Sequence, residues 1–126
     1  RLRLSAGDRD LLQARRAEIL KLRSEKHPDW RTTPTAGSFF KNIEPTSKAE
    51  RRQAAGYFLE QAGALSMREG GARTFARHAN IIIAEPGCRA VEVHGLSLRM
   101  AAAVQEKFAI ALQREVKLVG FPEGAS

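Results

Sequence analysis

Three consecutive isoleucines, at positions 81–83, constrain the fold more than any other stretch of the sequence. A short run of β-branched residues predicts a strand, because such side chains pack well on a pleated surface. Pro86 and Gly87 end this strand, since proline cannot donate a hydrogen bond to a strand ladder. The chain is therefore predicted to contain a sheet built around residues 81–83, with helices packed on it.

The first helix is predicted over residues 9–26. Its large apolar residues recur at helical spacing and predict one buried stripe beneath a basic outer face. Asp8 lies in a turn-forming segment that can cap the first turn, and Pro28 disfavours helix at the residue before it. The residues of the predicted stripe are Leu11, Leu12, Ile19, Leu20 and Leu22.

Two further helices are predicted, over residues 48–62 and 89–108. Ser47 and Glu50 have the spacing of a capping box at the start of the first, and Gly63 is placed to end it. The side chains predicted to face inward are Ala54, Ala55, Phe58, Leu59 and Ala62 in the first helix, and Val91, Leu98, Ala101, Val104 and Phe108 in the second.

Shorter extended segments complete the prediction. Strands or extended segments are expected at residues 38–40, 64–67, 73–75 and 112–120, with a loop over residues 30–37 and a tight turn at Gly70 and Gly71. In the last segment, Val116 and Leu118 should share one face and Glu115 should lie on the other. The order of elements predicts an α+β fold, a single two-layer domain with a mixed sheet and about three helices.

The composition fits a folded domain with an excess of positive charge. Of the 126 residues, 43% are hydrophobic and 28% are charged, and the formal net charge is +7. This excess favours an anionic partner such as nucleic acid or a nucleotide ligand. No apolar run is long enough for a membrane span, and the spacing of the three histidines predicts no metal site. The single Cys88 excludes an intrachain disulfide and favours a cytoplasmic location.

One stretch collects the most varied chemistry, residues 34–42 with the sequence PTAGSFFKN. Gly37 permits a backbone geometry, or a close ligand approach, that a side chain would block. Lys41 and Asn42 can reach a phosphate or a sugar hydroxyl from the edge at which Ser38 lies. The alternative is a loop that enters a short strand with two core phenylalanines.

Ser38 and Glu115 are the candidate reactive groups. No G-x-S-x-G elbow surrounds Ser38, so we predict a proton donor or ligand contact rather than a nucleophile. Glu115 is either a surface carboxylate paired across the sheet or a pocket carboxyl that stays protonated and can donate a proton. The glycines of residues 68–72 (REGGA) fit a phosphate-binding turn, or equally a turn between two strands.

Several segments together resemble the C-terminal domain of the UDP-N-acetylenolpyruvoylglucosamine reductase (MurB) family. Residues 34–42 resemble the signature of its substrate domain, and residues 55–63 (AGYFLEQAG) its next helix with the terminating glycine. Residues 70–72 and 78–82 resemble the following turn and strand, and residues 106–120 the closing helix and strand. The resemblance runs in unbroken order over residues 26–120.

The resemblance implies an oxidoreductase that converts UDP-N-acetylglucosamine enolpyruvate to UDP-N-acetylmuramate in peptidoglycan biosynthesis. In this family NADPH reduces a bound FAD, and a hydride then passes to the enolpyruvyl group. The resemblance implies that Ser38 gives a proton to the carbon beside the carboxylate and that Glu115 stabilises the enolate-like intermediate. The substrate-binding residues that it implies are Lys26, Gly37, Lys41 and Asn42.

The resemblance is confined to one part of the family's proteins. The family's FAD-binding domains precede the substrate domain and have no counterpart here, so we expect the FAD site to be absent and this chain to be inactive alone. Residues 1–4 are predicted to be a remnant strand from the FAD-binding part, and residues 5–126 to be the C-terminal substrate-binding domain. Ile43 stands where the family often has proline.

Two other functions stay open. One is a basic module that binds RNA or another polyanion, and the other is an interaction domain that kept the fold without its flavin partner. Adjacent strand residues point to opposite faces, so Phe39 and Phe40 cannot both belong to one stacking platform. Nucleic acid is therefore the less favoured partner, and no membrane partner is expected.

Overall fold

A computed structural model describes residue 3, residues 5–44 and residues 53–122 of the chain. The predicted strand at residues 1–4 and the predicted capping box of Ser47 and Glu50 lie outside these residues, except for Arg3. The elements in chain order are α1 (Arg9–Lys26), β1 (Thr35–Ser38), α2 (Ala55–Gln61), a 3₁₀ helix (Ala64–Ser66), β2 (Arg68–Glu69), β3 (Ala72–Phe75), β4 (His78–Ala84) and α3 (Ala90–Phe108).

The four strands form one sheet in the order β1-β4-β3-β2, with the isoleucine run in β4. All three isoleucines are buried, as a strand with neighbours on both edges requires. The α+β class with three α-helices is confirmed. The sheet is antiparallel in every pairing rather than mixed. Among β2, β3 and β4 this follows from connecting turns that are too short for a parallel crossover.

The hydrophobic core lies where α2 and α3 meet the sheet. Along α3, the fully buried apolar residues Leu96, Met100 and Val104 recur at every fourth position, which is the spacing of a single helix face. Burying a large apolar side chain in this way contributes roughly 1.5–3 kcal/mol. The buried residues of the core are Phe39, Phe40, Ala55, Phe58, Leu59, Ala64, Ala72, Ala79, Ile82, Leu96, Met100 and Val104.

The inward face of α3 differs from the prediction in two positions. Val104 is buried, and Ala101 and Phe108 pack against the core. Val91 and Leu98 are instead 55% and 41% exposed. The buried face is centred on Leu96, Met100 and Val104, and a residue two positions from Leu96 points to the other side of the helix.

The bounds of α1 are confirmed, but the buried stripe predicted for it is wrong. The carboxylate of Asp8 accepts hydrogen bonds from the N–H groups of Asp10 and Leu11, and the helix ends at the residue before His27. None of the eighteen residues of α1 is buried, and its five large apolar side chains are 48–69% exposed. Helical spacing predicts a common face, but it does not specify what covers that face.

Helix α2 is shorter at its start than predicted. Gln53 exchanges two backbone hydrogen bonds of 2.9 Å with Ile43, which holds it in an extended bridge, and Ala54 is extended and exposed. Ala55, Phe58 and Leu59 are buried as predicted.

Gly63 ends the α2 segment with a left-handed backbone (φ 82°), a conformation that glycine adopts without strain. The following residues, predicted as a strand, form the 3₁₀ helix instead. The Met67 N–H donates to the Ala64 carbonyl at 3.0 Å, which tightens the chain into a turn.

Residues 112–120 approach the sheet without forming the predicted strand. Their only ladder contact in the described part of the chain is a bridge between Arg114 and Phe40. Burial still alternates, with Val116 and Leu118 half-buried and Glu115 exposed, as predicted. The first strand is also shifted, since β1 covers residues 35–38 rather than 38–40.

None of the helices in the described ranges is both long and apolar enough to cross a membrane. Likewise, among residues 3, 5–44 and 53–122, no three His, Cys, Asp or Glu side chains lie where they would together hold a metal ion.

Candidate functional site

Four of the predicted site residues lie around one cavity of about 480 Å³, which we call the serine cavity. Residues far apart in the sequence, from the end of β1 and from the segment after α3, form its walls. The lining residues are Ser38, Phe40, Lys41, Asn42, Glu44, Gln113 and Glu115. The fold thus brings Ser38 and Glu115 to one opening, which sequence spacing does not specify.

Backbone hydrogen bonds hold the two walls of the serine cavity together. The Glu115 N–H donates to the Phe39 carbonyl at 2.9 Å, and the Lys41 N–H donates to the Gln113 carbonyl at 2.8 Å. Phe39 and Phe40 are each 2% exposed, with ring centroids 5.3 Å apart in an edge-to-face arrangement. The two rings therefore anchor the wall that carries Ser38 and Asn42.

Gly37 shapes the chain just before Ser38 and is not among the residues that line the serine cavity. Its φ of 79° is left-handed, and its N–H donates to the Thr35 hydroxyl at 3.1 Å. The Thr35 hydroxyl in turn donates to the Ile82 carbonyl at 2.8 Å. A side chain at position 37 would meet open space but would strain this backbone.

A second opening of about 400 Å³, which we call the histidine cavity, adjoins the first, because Ser38 and Asn42 line both. Its other polar side chains come from α2, from the turn before β4 and from β4 itself, and they are Tyr57, Glu60, Arg77, His78 and Asn80. Tyr57 is 60% exposed, so an aromatic face and an arginine border this opening. The sequence predictions did not single out Tyr57 or Arg77.

Lys26, a predicted substrate-binding residue, lines neither the serine cavity nor the histidine cavity. It is the last residue of α1, and the ring of the next residue, His27, has its centroid 5.5 Å from that of His78. The pKa of His78 is lowered from its ordinary value of 6.5, chiefly by burial and then by the charges of His27 and Lys26. The charge of Lys26 therefore reaches the histidine cavity, where Arg77 is the arginine of the lining.

The lowered pKa of His78 makes stability depend on pH. The unfolded chain binds a proton at His78 near pH 6.5, whereas the folded chain resists it, so stability falls as the pH drops below that value. We expect the free energy of unfolding of the wild type to fall between about pH 7.5 and about pH 5.5 by more than that of His78→Gln. Urea unfolding at the two pH values measures this difference.

The control for this comparison is Ser66→Ala, an uncharged and exposed substitution after α2, outside both cavities. This variant should retain the wild-type loss on acidification. An equal loss in wild type and His78→Gln would contradict the assignment.

The glycine pair at Gly70 and Gly71 forms the turn between β2 and β3 and not a phosphate-binding site. The Glu92 carboxylate accepts hydrogen bonds from the N–H groups of Arg89 and Gly71, at 3.0 and 3.2 Å. These bonds, that of Arg89 first, lower the pKa of Glu92 to about 2. A carboxylate therefore already occupies the N–H group that an anionic ligand would need.

Asn80 is the residue near the two cavities that the sequence predictions most clearly missed. It is 3% exposed and its side chain holds the backbone of Phe40 through two hydrogen bonds. A polar amide beside three isoleucines was the available signal, since buried amides are almost always hydrogen-bonded.

Comparison with known proteins points to one enzyme family. Residues 27–119 match the family model described as the C-terminal domain of UDP-N-acetylenolpyruvoylglucosamine reductase. The reductase of that name from Chloroherpeton thalassium is 38% identical over 109 residues, which cover 86% of this chain and 34% of the relative. The reductase from Solibacter usitatus is 36% identical, covering 93% of this chain and 41% of the relative.

A solved structure gives the same result. The crystal structure of UDP-N-acetylenolpyruvylglucosamine reductase (MurB) from Thermus caldophilus is similar with a TM-score of 0.67 and 28% identity, over 93% of this chain and 38% of that one. The chain thus spans between a third and about two fifths of the length of these relatives.

Proposed function

The chain belongs to the UDP-N-acetylenolpyruvoylglucosamine reductase family as its C-terminal domain, and from this premise we propose that it is the substrate-binding domain of such a reductase. The substrate would be UDP-N-acetylglucosamine enolpyruvate, reduced to UDP-N-acetylmuramate for peptidoglycan synthesis. The observation that carries the proposal is the serine cavity, in which Ser38, Asn42 and Glu115 face one opening.

In the proposed reaction Ser38 donates a proton to the substrate carbon beside the carboxylate. A hydroxyl can do this when it comes within hydrogen-bond reach of the carbon, about 3 Å. Ser38 is held for this task at the end of β1, between the left-handed turn at Gly37 and the buried ring of Phe39. The small side chain leaves room for the substrate carbon in the cavity.

Glu115 is proposed to stabilise the negative charge that develops on the substrate carboxylate. A protonated carboxyl donates a hydrogen bond to that charge, whereas an ionised one repels it. Glu115 is exposed at the cavity wall.

The anionic part of the substrate is proposed to lie over the histidine cavity. Arg77, just before β4, lines this opening, and the charges of His27 and Lys26 act on His78 at its wall. Positive groups around a concave site attract and orient a diphosphate. Asn42 lines both cavities and would contact the nucleotide-sugar between them, and Lys41 would contact it from the serine cavity.

The residues that the structure describes do not fit a flavin. The glycine-rich turn that resembles a phosphate-binding loop has its Gly71 N–H bound to the Glu92 carboxylate. We therefore propose that FAD, and the NADPH that reduces it, bind to N-terminal domains of a longer protein. The complete reductase, meaning this chain joined to such a flavin-binding part, is the form in which turnover can be measured.

We expect the chain by itself to bind UDP-N-acetylglucosamine enolpyruvate without binding FAD or oxidising NADPH. Calorimetry measures the affinity. The absence of yellow colour after incubation with FAD and removal of free FAD shows that no flavin is retained, and constant NADPH absorbance shows that none is oxidised. Lys26→Ala should weaken substrate binding about tenfold, the effect of losing roughly 1.4 kcal/mol of a charge-assisted contact.

Lys21→Ala is the matched control for Lys26→Ala, because it removes the same charge from the same helix and should leave the affinity unchanged. A chain that binds an RNA oligonucleotide but not the UDP-sugar would overturn the proposal. The present observations give this RNA-binding alternative no support, since the rings of Phe39 and Phe40 are both buried.

A further inference from the structure

We propose that Asn80 is the positioning residue that sets the geometry between Ser38 and Glu115, an inference that rests on the proposed function of these two groups. Asn80 lies in β4 and is 3% exposed. Its side-chain oxygen accepts a hydrogen bond from the Phe40 N–H at 2.9 Å, and its side-chain N–H donates to the Phe40 carbonyl at 2.8 Å. Both polar groups of one peptide residue are thus bound by one amide.

The need for a side chain at this point follows from the path of the backbone. β1 pairs with β4 irregularly between Thr35 and Ser38, and its last ladder partner is Ile81. The Phe39 N–H still reaches the Asn80 carbonyl, at 2.8 Å, but the chain then leaves the strand. The side-chain amide of Asn80 offers a donor and an acceptor as a peptide group does, so β4 hydrogen-bonds Phe40 as well as Phe39.

On the side away from β4, residues 39–41 are hydrogen-bonded to the segment that contains Glu115. While Asn80 holds Phe40 from the side of β4, the Phe39 carbonyl accepts the Glu115 N–H, and the Lys41 N–H donates to the Gln113 carbonyl. Residues 39–41 therefore lie between two sets of hydrogen bonds. Their position fixes Ser38 on one side and, through the Phe39 carbonyl, Glu115 on the other.

The chemistry of Asn80 makes this role specific. Alanine at position 80 would leave the Phe40 N–H and carbonyl buried and without their partners, which favours a shift of residues 39–41 toward other partners or water. A displacement of about 1 Å between reacting groups can cost roughly 10²-fold in rate. Asn80 also lines the histidine cavity, but it is 3% exposed and both polar atoms of its side chain are bound to Phe40, so substrate binding should change less than the rate.

The test uses Asn80→Ala in the complete reductase, with kcat and KM measured separately. We expect kcat to fall about 10²-fold while KM changes less than about threefold. Asn80→Thr, whose shorter side chain has one oxygen in place of the separate donor and acceptor atoms of the amide, should give an intermediate kcat. It also serves as the second variant should Asn80→Ala fail to fold.

Thr74→Val is the matched control, because Thr74 is a buried polar residue of the neighbouring strand, 2% exposed, whose hydroxyl contacts Met100 rather than residues 39–41. It should lower stability without lowering kcat. A kcat of Asn80→Ala or Asn80→Thr within about threefold of wild type would overturn the inference. So would a raised KM with unchanged kcat, which would make Asn80 a substrate contact.

A second readout separates this inference from the proposed function. Amide hydrogen exchange of the chain alone should become faster at Phe40 and Glu115 in Asn80→Ala, relative to core amides such as that of Met100. Unchanged exchange at both amides would overturn the positioning role even where kcat falls. If the wild-type reductase does not turn over the UDP-sugar at all, the proposed function fails. Faster exchange in Asn80→Ala would then show only that Asn80 stabilises the local structure, and the inference about positioning would fail as well.

Discussion

Replacing Ser38 with alanine in the complete reductase is expected to lower kcat by about 10²- to 10⁴-fold, the range that general acid catalysis contributes. The hydroxyl is the proposed source of the proton, and its loss leaves only water or a more distant group to supply one. The substrate's affinity for the chain, measured by calorimetry, should change little, since the contacts proposed to hold the nucleotide-sugar come from Lys26 and Asn42.

Ser66→Ala is the matched control for this experiment. The Ser66 hydroxyl is exposed and donates to the Gly63 carbonyl after α2, away from both cavities. This variant should retain the wild-type kcat. If Ser38→Ala retained a kcat within about tenfold of wild type, Ser38 would not be the proton donor.

Replacing Glu115 is expected to have the second largest effect, and two substitutions distinguish its role. Glu115→Ala should lower kcat by about 10²- to 10³-fold, as the loss of one donor to a developing oxyanion does. Glu115→Gln keeps a neutral N–H donor of nearly the same shape and should retain more activity than the alanine variant. The measurement is kcat of the complete reductase at saturating substrate.

The order of the kcat values of Glu115→Ala and Glu115→Gln distinguishes the possible roles of Glu115. A glutamine variant as slow as the alanine variant would mean that Glu115 transfers its proton rather than only donating a hydrogen bond. Near wild-type rates for both would remove Glu115 from the reaction. Glu106→Gln, an exposed carboxylate on α3, is the matched control and should leave kcat unchanged.

The parts of the fold that local sequence determines were predictable. The ends of α1 follow from Asp8, which caps its first turn, and from Pro28, which disfavours a further turn. The isoleucine run predicted β4, and the glycine pair predicted the turn between β2 and β3. Burial was less predictable, because the exposure of Leu11 and the other apolar residues of α1 depends on what packs against the helix.

The candidate site was predictable only in part. The residue types near Ser38 and the resemblance to the reductase family pointed to Ser38, Asn42 and Glu115, and the fold brings all three to the serine cavity. The two hydrogen bonds between the Asn80 side chain and the Phe40 backbone were not predictable, because they join positions that only the pairing of β1 with β4 brings together. Residues 112–120 have the alternation of a strand but find only one bridge partner.

The hydrogen bond from the Glu115 N–H to the Phe39 carbonyl bears on how the geometry of the proposed site can be lost. The walls of the serine cavity are residues 38–42 and residues 113–115, which are joined by backbone hydrogen bonds, whereas the sheet and α3 share the buried core. These two walls can separate while the core stays intact, since local openings need less free energy than global unfolding. Loss of the proposed site and denaturation of the domain are therefore separable events: heat or denaturant can part the two walls of the serine cavity while the core is still folded.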